Sequence, residues 1–144
     1  MRFLLDVNVL IALIDPRHIM HNIAHDWFDR EGQEAWATCP LTENGAVRIV
    51  GNPSYANSPG SPAVVMNAIS ELRNAQGHAF WPDDISVLDR THIDPDEMLT
   101  SGQLTDTYLL ALAKAHGGKL ATFDRRLSTS AVRGGKAALH LIGA

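Results

Sequence analysis

Acidic residues stand where four apolar or helical segments of this 144-residue chain begin or end. Asp6 interrupts the apolar run RFLLDVNVLIALI near the N-terminus, and Asp124 closes the apolar stretch KLATFD late in the chain. Glu43 and Asp106 each fall near the start of a predicted helix. A carboxylate in an apolar setting is costly to bury unless it is hydrogen-bonded, protonated or paired with a cation. These positions are therefore the first candidates for chemistry.

The chemistry of the four acids depends on whether the fold brings them together. In open α/β sheets, binding sites form beyond the carboxyl ends of the strands, and we expect the acids to meet there. Two carboxylates about 5 Å apart repel by roughly 3 kcal/mol at an effective dielectric constant of about 20. Such a cluster requires either raised pKa values or bound divalent cations. Because Mg²⁺ or Mn²⁺ suits oxygen ligands and activates water, the pattern indicates metal-assisted phosphodiester hydrolysis.

Buried strands alternate with helices along the chain, which is typical of an α/β fold with a parallel sheet. Strands are predicted within RFLLD, EAWATCPLT, FWPDDISVLD, KLATF and ALHLIG. Helices are predicted within VLIALI, DPRHIMHNIAHDWFDREG, TENGAVRIVGN, PAVVMNAISELRNA, DPDEMLTSG and QLTDTYLLALAKAHGG. The alternation indicates one domain, residues 1–144, with helices on both faces of a small, mainly parallel sheet.

Capping residues place several of the helix boundaries. Thr42 is the predicted N-cap of the third helix, and Gly51 is its stop signal. The pair Ser61-Pro62 predicts the start of the next helix. Asp94 and Glu97 have the spacing of a capping box.

The composition excludes several classes of protein. Hydrophobic residues make up 45% of the chain and charged residues 19%, so a disordered segment is excluded. The single cysteine, Cys39, allows no intramolecular disulfide bond, which fits a reducing cytoplasm. No apolar stretch approaches the roughly 20 residues of a membrane span. The net charge of −4 gives no global signature of nucleic-acid binding, so a basic surface must be local or a metal must bridge the charges.

The chain resembles the PIN-domain ribonucleases of the VapC toxin type in LLDVNVLIAL, in the isolated Glu43 and in LTDTYLLALAKAHGGKLATFD. The resemblance covers nearly the whole chain and implies a three-layer α/β/α sandwich around a parallel sheet. It implies Mg²⁺- or Mn²⁺-dependent endonucleolytic cleavage of RNA that leaves a 5′-phosphate and a 3′-hydroxyl. It also implies the toxin of a type II toxin–antitoxin pair, inhibited by a cognate antitoxin that covers the active site, and a cytoplasmic homodimer.

The acid quartet of this family falls on Asp6, Glu43, Asp106 and Asp124. The resemblance implies that Asp6 and Asp106 are direct metal ligands. It implies that Asp124 is a ligand or is bridged to the metal by water. Glu43 either completes the metal shell or helps to position and deprotonate the attacking water.

Two polar residues near the quartet have supporting roles by the same resemblance. Asn8 and Thr105 would orient the acids through hydrogen bonds. Three arginines close in sequence to the acids are candidate contacts to an RNA phosphate: Arg48, Arg125 and Arg126. Eight acids outside the quartet are expected at the solvated surface: Asp15, Asp26, Asp29, Glu31, Glu34, Asp83, Asp84 and Asp89.

Two alternatives remain open from the sequence. The opening LLDVNV is superficially similar to the start of haloacid-dehalogenase phosphatases, which use a nucleophilic Asp and a second Asp two positions later. Here Asn8 stands at that second position. The other alternative is a non-catalytic PIN-like module that binds RNA or protein, although all four quartet positions are acidic.

Overall fold

The computed structural model describes residues 1–143 and contains a five-stranded sheet of order β3-β2-β1-β4-β5, in which all neighbouring strands are parallel. The strands are β1 (Phe3–Leu5), β2 (Trp36–Thr38), β3 (His78–Phe80), β4 (Lys119–Thr122) and β5 (Leu139–Leu141). The helices are α1 (Val7–Ile14), α2 (His21–Arg30), α3 (Pro40–Val50), α4 (Pro62–Arg73) and α5 (Leu104–Ala115). Within residues 1–143, no helix has the length and apolar character needed to cross a bilayer.

Helices cover both faces of the sheet, which confirms the predicted three-layer α/β/α architecture. The β1 side chains alternate between the faces, because successive residues of a strand point to opposite sides. Phe3 and Leu5 join the core formed with α1, α2, α3 and α4. Leu4 joins the other core, which contains the buried face of α5. The continuous apolar character of β1 therefore reflects burial on both sides.

The start of α3 differs from the sequence prediction by three residues. Pro40 occupies the first turn and Cys39 is the N-cap. The Thr42 side chain lies inside the helix, where its Oγ1 accepts a hydrogen bond from the Cys39 backbone N–H at 3.1 Å. Proline favours the first helical turn because its missing N–H has no partner there in any case.

The region between β3 and α5 also differs from the prediction. The third strand is His78–Phe80, earlier than most of FWPDDISVLD. The segment DPDEMLTSG forms two short 3₁₀ turns instead of one helix. Asp94 caps the first turn by accepting a hydrogen bond from the Asp96 backbone N–H at 3.0 Å, and no return bond from Glu97 completes a capping box.

Asp15 is buried, which contradicts its predicted place at the solvated surface. Its carboxylate accepts hydrogen bonds from the Tyr55 hydroxyl at 2.5 Å, from the Asn57 amide at 3.1 Å and from the Arg17 backbone N–H at 3.0 Å. Burial alone would raise the pKa of Asp15, but these hydrogen bonds outweigh burial and lower it. Asp15 therefore anchors the loop between α3 and α4 to the end of α1.

Candidate active site

The candidate site lies at the sheet edge where the parallel strands end and where α1, α3 and α5 begin. Three of the four predicted acids line one cleft at this edge: Asp6, Asp106 and Asp124. The cleft has a volume of about 290 Å³. The three acids come from distant parts of the chain, so the fold itself assembles this acidic wall.

Asp6 is the N-cap of α1 and directly follows β1. Its carboxylate accepts hydrogen bonds from the Val7 backbone N–H and from the Thr122 hydroxyl, both at 2.7 Å. The side chain is only 6% exposed. Asp6 therefore has a fixed orientation and little access to bulk water.

Asp106 and Asp124 belong to the C-terminal part of the sequence and line the same cleft. Asp106 lies in the first turn of α5 and is partly buried. Asp124 follows β4, is exposed, and accepts a hydrogen bond from the Arg126 backbone N–H at 2.8 Å. This turn keeps the Asp124 carboxylate at the mouth of the cleft.

The pKa values report crowding of negative charge. Burial raises the pKa of Asp106, and the charges of Asp6 and Asp124 add to this rise, so that the pKa is about 6. Burial also raises the pKa of Asp6, against the lowering effect of its two hydrogen bonds, and Asp124 adds to the rise. Neighbouring carboxylates therefore make ionisation of Asp6 and Asp106 less favourable, as like charges in a confined space do.

Thr122 is a functional candidate that sequence reasoning missed. Its hydroxyl donates to Asp6 Oδ2 at 2.7 Å and accepts from the Asp124 backbone N–H at 3.1 Å. One buried side chain thus connects two of the acids. A threonine inside the apolar strand KLAT carries no pattern that would have distinguished it from a strand-forming residue.

Asn8 and Thr105 line the cleft, but they do not make the predicted hydrogen bonds to the acids. Both residues are exposed. Among residues 1–143, the side-chain bond that holds Asp6 comes from Thr122. The reason is position, because Thr122 ends the strand beside β1, whereas Asn8 and Thr105 lie on the solvent side of their helices.

Glu43 does not line this cleft. Its carboxylate accepts a hydrogen bond from the Thr38 hydroxyl at 2.6 Å and forms an ion pair with Arg73 at 3.1 Å. The cleft-lining residues of α3 are Leu41, Gly45, Arg48 and Ile49, which share one helical face. Position 43 is about half a turn away from that face, at 3.6 residues per turn. Glu43 instead borders a groove between α3 and α4.

A polar network holds Glu43 in that place. The Thr38 hydroxyl donates to Glu43, and His78 Nε2 lies 2.8 Å from the same hydroxyl oxygen, so the imidazole is the donor there. Burial lowers the pKa of His78, and the positive charges of Arg73 and Arg2 lower it further, so that it is about 4. His78 is therefore neutral at pH 7 and does not compete with Arg73 for the carboxylate.

The three arginines predicted to contact RNA have different surroundings. Arg48 lines the cleft and is exposed. The Arg125 guanidinium donates to the Gly143 carbonyl at 2.9 Å, so it is directed toward the end of the chain. Arg126 is exposed, and its backbone N–H caps the Asp124 turn. Arg48 is thus the arginine placed to meet a ligand in the cleft.

The donor set of the cleft fits a hard divalent cation. All three acidic side chains offer oxygen atoms. The pKa values of Asp6 and Asp106 are raised by burial and by neighbouring negative charge, and a cation would relieve the repulsion between these charges. Within residues 1–143, no three His, Cys, Asp or Glu side chains are grouped closely enough to hold one ion together. Mg²⁺ does not need such a group, because it usually binds one or two carboxylates and keeps several waters.

Comparison with known proteins decides the family. The model of the PIN domain family matches residues 3–132. Ribonuclease VapC44 of Mycobacterium tuberculosis is 42% identical over 134 residues, which cover 93% of this chain and 94% of the relative. This chain belongs to the VapC-type PIN-domain family. The family match gives no support to the phosphatase alternative.

Solved structures of PIN-domain proteins share the fold. The crystal structure of VapC20 of Mycobacterium tuberculosis, described as a Sarcin-Ricin loop cleaving toxin, aligns with a TM-score of 0.63 at 10% identity. The alignment covers 91% of this PIN-domain chain and 96% of VapC20. VapBC2 of Rickettsia felis, bound to a DNA fragment from its promoter, aligns with a TM-score of 0.56 at 9% identity, over 88% of this chain and 90% of that one.

Proposed function

We propose that this chain is a metal-dependent endoribonuclease and the toxin of a toxin–antitoxin pair. The observation that carries the proposal is the convergence of Asp6, Asp106 and Asp124 in one cleft of a VapC-type PIN-domain chain. A crowded set of carboxylates has a direct use in metal-assisted hydrolysis and a free-energy cost without it.

The residues that would hold Mg²⁺ or Mn²⁺ are those of the acidic wall. Asp6 and Asp106 are the proposed direct ligands, and Asp124 binds directly or through water. When bound, such a cation lowers the pKa of a bound water and neutralises charge on the attacked phosphate. Thr122 fixes the Asp6 carboxylate through its 2.7 Å hydrogen bond, so that Asp6 needs little rearrangement to bind.

The proposed reaction is hydrolysis of one RNA phosphodiester bond. A water oxygen forms a bond to phosphorus while the bond from phosphorus to the 3′ oxygen breaks. The 3′ oxygen takes up a proton, so the products carry a 3′-hydroxyl and a 5′-phosphate. Arg48 lies in the cleft wall, where its guanidinium can pair with a phosphate oxygen of the substrate.

Glu43 has a conditional role in this proposal. The ion pair with Arg73 and the hydrogen bond from Thr38 keep its carboxylate on another face of α3. To complete the metal shell or to position water, the Glu43 side chain must break its ion pair with Arg73 and turn into the cleft. We therefore assign metal binding in the absence of RNA to the other three acids.

The proposed partners follow from the relatives. VapC44 bears the name of a ribonuclease, and the Rickettsia felis structure is of a VapBC2 complex. We propose that this chain likewise acts on RNA in the cytoplasm, is inhibited by a cognate antitoxin protein, and forms a homodimer.

Cleavage of RNA by the purified protein tests the proposal. Wild type is expected to cut RNA with Mg²⁺ or Mn²⁺ and to stop when EDTA is added. Asp6→Asn is expected to lose more than about 100-fold in rate, the upper range for a partner that only supports a metal ligand. The asparagine side chain still accepts a hydrogen bond as an N-cap, so the fold should persist.

The matched control is Asp26→Asn, which removes an exposed acid of α2 that lies away from the cleft. This variant should cut at the wild-type rate. Wild-type activity in Asp6→Asn, with circular dichroism showing both proteins folded, would contradict the assignment of the site.

A further inference from the structure

An apolar groove opens directly beside the acidic cleft. It has a volume of about 330 Å³ and is lined by Leu41, Asp83, Val87, Leu104, Thr105 and Tyr108. Leu41 and Thr105 also line the acidic cleft. The cleft and the groove therefore share a wall. A nucleotide chain whose phosphate lies in the cleft would place a neighbouring chemical group in the groove.

The walls of the groove are apolar and open to solvent. Leu104 is 47% exposed and Val87 is 37% exposed, which leaves apolar surface uncovered at this point. Leu41 and Tyr108 are partly buried and pack against the core on the α5 side of the sheet, which makes them a firm floor. Such a surface suits a flat ligand with apolar faces.

Asp83 is the charged residue of the groove lining. Asp83 shares this lining with Tyr108, and its negative charge adds to the rise that burial causes in the pKa of the Tyr108 hydroxyl. No lysine or arginine lines this groove within residues 1–143. A phosphate would therefore be repelled here, whereas a ligand edge that carries N–H donors would be attracted.

We propose that this groove binds the guanine base of a nucleotide next to the scissile phosphate, with the base edge donating to Asp83. The inference rests on the proposed ribonuclease function and adds base selection to it. Single-stranded RNA is commonly recognised through unstacked bases that are packed on side chains and hydrogen-bonded at their edges.

Guanine fits the carboxylate better than the other bases do. Its Watson–Crick edge presents two adjacent donors, the N1–H and the N2 amino group, which match the two oxygens of Asp83. Adenine and cytosine present one amino group beside a ring nitrogen acceptor. Uracil presents one N–H between two carbonyl acceptors. In each of these three bases an acceptor would face a carboxylate oxygen, which is repulsive.

A set of short oligoribonucleotides that differ in one base beside a fixed cleavage position tests this inference. Wild type with Mn²⁺ is expected to favour guanine by roughly 5- to 150-fold, the range for one bidentate base contact. Asp83→Asn replaces one accepting oxygen with an amino group and should reduce this ratio to near one. The same oligonucleotides, measured by fluorescence anisotropy in EDTA, should show the same base preference in binding.

Matched controls lie in the neighbouring segment. Asp96→Asn removes an exposed acid outside the groove and should leave the guanine preference unchanged. Leu104→Ala should weaken binding of every oligonucleotide several-fold, since it removes a wall of the groove. Leu99→Ala removes a leucine that is 77% exposed and outside the groove, and it should have no effect.

The outcomes separate this inference from the proposed function. Metal-dependent cleavage with no base preference, or a preference that Asp83→Asn leaves intact, would overturn the guanine site and leave the ribonuclease standing. Base-selective binding in EDTA without any cleavage would support the guanine site and count against the ribonuclease. If the groove variants impair only the binding of a co-purified protein, the groove is a protein contact and the inference fails.

Discussion

At the scale of single residues, the cleft concentrates negative charge that the protein tolerates at a cost in stability. Asp106 shows this most clearly, because burial and two neighbouring carboxylates raise its pKa to about 6. A carboxyl group in the unfolded chain titrates near 3.9. Between these two pH values the folded protein binds more protons than the unfolded protein does at this site.

The Asp106 pKa predicts a specific dependence of stability on pH. Since the folded state binds the extra proton, the contribution of Asp106 to the free energy of unfolding falls as pH rises from about 4 through about 6. Metal-free Asp106→Asn lacks this titration and should be more stable than wild type at pH 7. Urea unfolding in EDTA should show the difference shrinking as pH falls toward 4. A difference that is constant across this range would contradict the account.

Thr122 gives a second prediction at the residue scale. Thr122→Val keeps the shape of the side chain but removes the hydroxyl that donates to Asp6 Oδ2. Mn²⁺ affinity should fall about 10- to 100-fold, as for other residues that orient a metal ligand. Thr122→Ser should restore most of the affinity. If Thr122→Val binds Mn²⁺ as wild type does, then Asp6 does not depend on this hydrogen bond.

At the scale of secondary structure, the sequence predicts most elements but fails in the region between β3 and α5 and at one face of α3. Asp6, Asp106 and Asp124 share one cleft because each lies just after a strand or in the first turn of a helix, and such positions in parallel sheets share one edge. Glu43 is different. Its direction depends on where α3 begins and which face packs inward, and the N-cap of that helix is Cys39 instead of the predicted Thr42.

Other features were beyond sequence reasoning because their partners are remote. Tyr55 and Asn57, which donate hydrogen bonds to Asp15, are 40 and 42 residues away from it in the sequence. Both lie in a loop without a regular pattern. Thr122 looks like any strand threonine until β4 pairs with β1. These contacts exist only after the fold has formed.

The anchor of the loop between α3 and α4 predicts a measurable stability effect. Tyr55→Phe removes the hydroxyl that donates to Asp15 and leaves a buried carboxylate with one partner fewer. The free energy of unfolding should fall by about 1.5–3 kcal/mol, the range for hydrogen bonds to charged groups. Urea unfolding at pH 7 measures it. A loss below about 0.5 kcal/mol would show that the loop is anchored in another way.

At the scale of the whole molecule, cation binding and folding are linked. A ligand that binds only the native state raises the free energy of unfolding by about 2.7 kcal/mol at 100 times its dissociation constant. Mn²⁺ should therefore stabilise wild type and Asp26→Asn to a similar extent. Asp106→Asn should lose most of this gain, whereas Glu43→Gln should lose less, because Glu43 is held by Arg73 outside the cleft. Equal losses in both variants would contradict the division of the acids.

The proposed toxin activity predicts an effect on the cell. Expression in a host that lacks the cognate antitoxin should arrest growth, and Asp6→Asn at equal protein level should not. Growth curves with immunoblots measure both quantities. Equal arrest by the two proteins would indicate toxicity unrelated to the acidic cleft.

The proposed function depends on Asp6, Asp106 and Asp124 forming one cation site. The most direct measurement is anomalous diffraction from crystals of the protein soaked in Mn²⁺. We expect an anomalous peak in the cleft that marks a Mn²⁺ ion about 2.1 Å, as in Mg²⁺ sites, from a carboxylate oxygen of Asp6 or Asp106. No peak in the cleft, or a peak only at acids elsewhere on the surface, would contradict it.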